Sequence, residues 1–146
     1  MAKQGFTLIE ILLAVAIISI LAALTIPIGI NFYTTQNLDS VSDGVIQALR
    51  RAQLKAMSQE GDSDFGVYIG SGKVGHYSLF RGSSYINKED EEIFDISNNI
   101  SFGGDMTEVV FTKLYGIPNV TGDIILTLDG DTETININEL GRINLE

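Results

Sequence analysis

Hydrophobic positions crowd into the first third of the chain. Residues 11–30 are almost wholly apolar, and no charged side chain occurs anywhere in 11–38. A helix needs about 20 apolar residues to cross a bilayer, so this run predicts a membrane-spanning segment. Pro27 lies within it, where a proline removes one backbone hydrogen bond and predicts a kink, and Gly29 weakens the helix further. The pattern then changes. Leu38, Val41, Val45, Leu49, Ala52 and Ala56 recur at spacings of three and four with charged residues between them, which predicts an amphipathic helix over 39–60 that breaks at Gly61. If the two helices are continuous from Phe6 to about Glu60, the rod is about 80 Å long at 1.5 Å per residue. Gly44 costs such a helix about 1 kcal/mol and does not forbid it.

From Phe65 the period shortens. Runs at 65–69, 76–80, 93–96, 109–111, 124–128, 134–137 and 142–145 have the length and residue types of strands, with turn residues between them. The glycines at 70–75 predict a hairpin between the first two runs, and Asp129-Gly130-Asp131 predicts one between 124–128 and 134–137. The fold class is therefore α+β: a long N-terminal helix, half membrane and half amphipathic, packed on an antiparallel β-sheet head. The expected division is a leader at 1–5, a membrane and core helix at 6–38, and a head at 39–146 whose β-rich part is 65–146.

Charge sharpens this division. Every acidic residue except Glu10, and every basic residue except Lys3, lies from Asp39 onward, so the net charge of −10 belongs almost entirely to the head. An acidic head repels phosphate backbones and argues against nucleic acid as a partner. The chain has no cysteine, which excludes disulfides, thiolate metal sites and cysteine nucleophiles. Lys3 marks one side of the span, while the other side opens on Asp39, so the positive-inside rule puts the short N-terminal segment in the cytoplasm and the head outside.

The N-terminal punctuation is unusual. An export signal carries its cleavage site after the apolar region, whereas here the break, Gly5-Phe6, comes before it. Glu10 then interrupts the apolar run, where an ionised carboxylate costs roughly 2.5 to 3.5 kcal/mol on insertion scales. Either it reaches back to the interface, or another chain supplies a partner charge.

Gly5-Phe6-Thr7-Leu8-Ile9-Glu10 ahead of an unbroken apolar stretch resembles the N-terminal signal of type IV pilins and type II secretion pseudopilins. The resemblance implies that a prepilin peptidase cuts after Gly5 and that Phe6 becomes the N-methylated terminus. It further implies that Glu10, with Thr7 beside it, serves assembly by pairing with the terminal amine of a neighbouring subunit. Pro27 stands where similar pilins carry a proline. The implied partners are other pilin or pseudopilin subunits, the prepilin peptidase, an inner-membrane assembly platform and the bilayer. A looser likeness covers the head. Residues 48–56, Val67-Tyr68, 77–80, Val110-Phe111, Gly116, 122–126 and 141–143 resemble the GspH/FimT branch of minor pseudopilins, which helps start or cap a filament. Some relatives with basic C-terminal segments bind DNA; the tail here, 138–146, has one arginine and two glutamates.

The remaining chemistry is sparse. Asp129, Asp131 and Glu133 alternate around a glycine and are weak calcium candidates, since the spacing does not complete an EF-hand loop. The plain reading is an acidic hairpin turn with no metal. The acidic run 89–92 reads as a solvated loop. His76 is the only histidine and has no partners for catalysis. Asn119-Val120-Thr121 fits a glycosylation pattern but reads as a turn after Pro118. The function expected is a structural, minor subunit of a type IV pilus or type II secretion pseudopilus, not an enzyme and with no cofactor. The alternative is an exported single-span module that binds sugar or calcium and keeps its N-terminus uncut.

Overall fold

A computed structural model describes residues 5–146, and within the helix it describes no side chains for residues 24–34. One helix, α1 (Leu8–Met57), precedes eight strands: β1 (Phe65–Tyr68), β2 (His76–Arg81), β3 (Asp90–Asp95), β4 (Ser101–Gly104), β5 (Glu108–Phe111), β6 (Gly122–Leu128), β7 (Asp131–Ile137) and β8 (Ile143–Leu145). The chain divides into two units, Met1–Thr35 and Gln36–Glu146. The kink expected at Pro27 falls among residues whose side chains lie outside the description.

The head unit holds the core. Its part of α1 buries Leu38, Val45, Leu49, Ala52 and Ala56, the stripe that the periodicity marks, with Val41 only partly covered. Helix α1 runs through Gly44, and packing accounts for the glycine: a Cβ there would stand 2.5 Å from the Tyr77 hydroxyl, so Gly44 is where the tyrosine crosses the helix. The helix stops at Met57. Gln59 then takes a left-handed conformation (φ 58) and a single tight turn, Glu60–Asp62, leads into β1. Two changes from the anticipated rod follow, a start at Leu8 instead of Phe6 and an earlier end.

The strands form two antiparallel sheets, where one was anticipated. Their orders are β3-β2-β1-β5 and β4-β6-β7-β8. Val67, Leu79 and Phe65 of the first sheet and Ile124, Leu126, Ile135 and Ile137 of the second join the helix stripe in one apolar cluster. Alternation along β6 turns Ile124, Leu126 and Leu128 inward, as a half-buried strand requires. The β6–β7 hairpin closes on Asp129 and Gly130, both with positive φ (52 and 102), which is the geometry that a two-residue turn between twisted strands favours.

Two elements differ from the reading of the sequence. The acidic run 89–92 is not a loop: Asp90 to Glu92 open β3, paired with Arg81, Phe80 and Leu79. Partners make this possible, since Arg51 meets Glu92 at 2.7 Å and Lys88 meets Glu91 at 3.4 Å. β4 carries no alternating pattern because Gly103 and Gly104 occupy half of it; its place comes from the ladder with β6.

The outer face of the first sheet is also covered. Ser78 and Phe80 are buried on it beneath the segment 82–89, which folds back over the strands. Tyr85 stacks on Tyr68 (3.8 Å between centroids, 9° between planes) and meets Phe80 edge-on at 5.8 Å. Its backbone N–H donates to the Glu108 carboxylate at 2.8 Å, and the Lys88 ammonium lies 3.7 Å over its ring.

Candidate functional site

Gly5, Phe6 and Thr7 precede the helix in exposed, non-helical backbone, so the Gly5–Phe6 peptide bond lies outside the hydrogen-bonded ladder of α1. Thr7 is the N-cap. The Glu10 amide hydrogen points at Thr7 Oγ1 (3.4 Å), while the Glu10 carboxylate accepts from the Thr7 backbone N–H at 2.8 Å and from its hydroxyl at 2.7 Å. This is a capping box: two groups that a helix start leaves unpaired satisfy one another. Its signature, T-x-x-E before an apolar run, is local and could be read from residues 7–10. It also places the helix start at Leu8.

Beyond the box the helix surface is apolar on all sides. Leu8, Ile9, Leu12, Leu13, Ile18 and Leu21 are all exposed, and the one polar side chain among them, Ser19, turns its hydroxyl onto the Val15 carbonyl at 2.7 Å. A helix that is hydrophobic all round is stable only when lipid or other helices surround it. Among the described residues no helix is long and apolar enough to cross a membrane. The expected span, 11–30, continues past Ala23 into residues whose side chains are outside the description.

Glu133 does not gather with Asp129 and Asp131. It faces α1, where Asp39, Ser42 and Asp43 meet it. Burial pushes its carboxyl above the ordinary range, the Ser42 hydroxyl opposes this, and the Asp39 and Asp43 carboxylates add to it. Among the described residues no group of three His, Cys, Asp or Glu side chains is arranged to hold a metal ion. His76 Nδ1 lies 3.1 Å from the Val74 carbonyl. Asn119 exchanges two hydrogen bonds with Val110, through its amide N–H and its side-chain oxygen, both at 2.8 Å, and so closes the turn onto β5.

A further feature has no local signature in the sequence. The side-chain amide of Gln53, on α1, donates to the carbonyls of Gly116 (3.0 Å) and Gly141 (3.1 Å), fastening two distant segments to the helix.

Residues 1–26 match the family described as the prokaryotic N-terminal methylation motif. No curated protein matches the chain. Two solved structures resemble it. The type IV minor pilin FimU of Pseudomonas aeruginosa is 17% identical, with a TM-score of 0.59 over 79% of this chain and 92% of that one. The minor pseudopilin EpsH from the type 2 secretion system of Vibrio cholerae is 11% identical, with a TM-score of 0.58 over 75% of this chain and 96% of that one. At these identities the likeness is one of fold. The chain thus carries a prokaryotic N-terminal methylation motif over residues 1–26, and its fold is that of a minor pilin and a minor pseudopilin.

Proposed function

We propose that this chain is a structural subunit, a minor one of the GspH/FimT kind, of a type IV pilus or type II secretion pseudopilus. The observation that carries the reading is the Thr7–Glu10 box at the head of a helix whose apolar surface has no cover of its own. The precursor is cut after Gly5 by a prepilin peptidase, and Phe6 becomes the methylated terminus. Residues 1–5 are the leader, 6–38 the membrane and filament-core helix, and 39–146 the head. Before assembly the helix spans the cytoplasmic membrane once, N-terminus inside and head outside; the bilayer covers its apolar surface, and an inner-membrane platform extracts it.

Glu10 gives assembly its register. A carboxylate in an apolar setting is costly unless paired, and removing one partner of such a pair leaves the other uncompensated. In the isolated chain Thr7 satisfies Glu10. In a filament, the terminal amine of a neighbour adds a full opposite charge, which rewards one axial offset and penalises others. Pro27 supplies a point at which the helix bends as it packs. The head makes the contacts that distinguish one subunit from another. The candidate acids Asp129, Asp131 and Glu133 take no metal in this account, and no cofactor or catalytic step is invoked.

The test is the mass and first residue of the mature protein from its native host, together with filament assembly by Glu10→Ala and by a Gly5 variant that blocks processing. A chain beginning at N-methylated Phe6, with assembly lost in both variants, is the expected result. A retained Met1, or normal assembly in both variants, overturns the proposal and leaves a tethered ligand-binding module.

A further inference from the structure

Apolar side chains stand in solvent around the end of α1. Leu54 is 65% exposed, Tyr115 73% and Leu140 78%, with Met57, Leu114 and Ile117 about half exposed. Backbone bonds bring them into one area. The Leu114 N–H donates to the Ala56 carbonyl at 3.1 Å, and Gly116 sits so close to the helix that a Cβ would lie 2.7 Å from Met57 Cγ. Gln53 fixes Gly116 and Gly141 at the same place. Between the helix and the turn before β8 runs a groove lined by Arg50, Gln53, Leu54, Leu140, Arg142 and Ile143. Contiguous exposed apolar surface of this kind marks an interaction site.

Charge indicates what the groove takes. Arg51, Lys55, Arg81, Lys88 and Lys113 each pair with a carboxylate. Arg50 and Arg142 do not, among the described residues, and no acid lines the groove. A chain of net charge −10 thus presents one apolar floor between two uncommitted guanidinium groups. Such a groove suits an aliphatic side chain with a carboxylate beside it. A nucleic acid would bring many phosphates against the acidic remainder of the head and little to fill the apolar floor.

The same head carries such a surface. Strand β3 is an edge of the first sheet, bonded only to β2. Alternation puts Glu91, Ile93 and Asp95 on one of its faces; Lys88 already holds Glu91, whereas Ile93 is 56% exposed and Asp95 is exposed with no ion pair among the described residues. We propose that the groove receives the outer face of β3 from a second copy of this chain, Ile93 resting on Leu54 and Leu140 while the Asp95 carboxylate reaches Arg142. Groove and edge strand are different patches, so the contact is heterologous, joining the groove of one copy to the edge strand of another. It rests on the filament reading for its purpose and on the head alone for its chemistry.

Trapping in trans tests it, helped by the absence of native cysteine. Full-length Leu140→Cys and Ile93→Cys chains, co-produced in one membrane and oxidised, should form a disulfide-linked dimer well above the yield from Leu140→Cys with the exposed control Ser83→Cys. Adding Arg142→Glu to the Leu140→Cys chain should lower the yield about tenfold, and Asp95→Lys on its partner should restore it. A yield no higher than the control from folded heads overturns the proposal, as does a predominance of Leu140→Cys pairs with themselves. Processing at Gly5 is read on the same samples: a cut leader without the cross-link sinks this contact alone, whereas the cross-link with an uncut leader sinks the filament reading alone.

Discussion

The side-chain amide of Gln53 donates to the carbonyl of Gly141, 88 residues further along the chain, at 3.1 Å. The same nitrogen reaches Gly116, so one helical residue holds both loops that border the exposed apolar area. Gln53→Ala should destabilise the head by about 1–3 kcal/mol, because two part-buried carbonyls lose their donor. Gln53→Glu should cost more at neutral pH, since a carboxylate facing two carbonyl oxygens adds repulsion. Urea unfolding of the two variants beside the parent, compared at equal slope, gives the ranking; equal stability of all three would show that the amide bonds carry nothing.

Thr7 caps α1 and holds Glu10. Thr7→Ala should weaken the first turn by about 1 kcal/mol, while Thr7→Ser keeps the hydroxyl and most of the cap. Amide exchange at Glu10 and Ile11, followed by nuclear magnetic resonance in detergent micelles, should quicken about fivefold in the alanine variant. Unchanged exchange would mean that the box is not formed in the micelle.

Glu133 couples the head to pH. Its carboxyl is raised by burial and by Asp39 and Asp43, against the pull of Ser42. The folded head therefore holds this proton more tightly than the unfolded chain does, so stability is favoured at low pH and falls as pH rises from the ordinary carboxylate range to the raised value. Glu133→Gln should remove that fall and raise the melting temperature at pH 7 by a few degrees, corresponding to at most about 1 kcal/mol after solvent screening. Thermal melts of both proteins across pH 4–8 check the sign: the curves should converge at the acid end.

Tyr85 clasps the segment 82–89 to the first sheet through Tyr68 and Glu108. Tyr85→Ala should free this segment, raising amide exchange at 83–88 and exposing it to proteolysis, at a cost of about 1–3 kcal/mol for a part-buried ring. Tyr85→Phe retains the stack and loses only the hydroxyl's bond to the Glu91 carboxylate, so the segment should stay protected. Cleavage confined to 83–88 in the alanine variant alone is the expected digest.

Much of this protein was legible locally. The spacing of Leu38, Val45, Leu49, Ala52 and Ala56 marks the buried side of α1 because a helix repeats every 3.6 residues, and neighbours in sequence are then neighbours on one face. Alternation of Ile124, Leu126 and Leu128 and the Asp129-Gly130 turn mark the β6–β7 hairpin for the same reason at a period of two. Gly5-Phe6 and the T-x-x-E box are local motifs too.

What needed the tertiary structure was every relationship between distant residues. β4 has no pattern of its own and exists through β6; Asp90 to Glu92 form a strand because β2 offers a ladder and Arg51 and Lys88 offer charge. Glu133 leaves its sequence neighbours for Asp39 and Asp43, and Gln53 finds two carbonyls no spacing rule connects to it. Backbone periodicity is a property of consecutive residues and can be read along the chain. Partners for a buried carbonyl or carboxylate depend on which segments the packed core brings together, and that is decided only when the chain has folded.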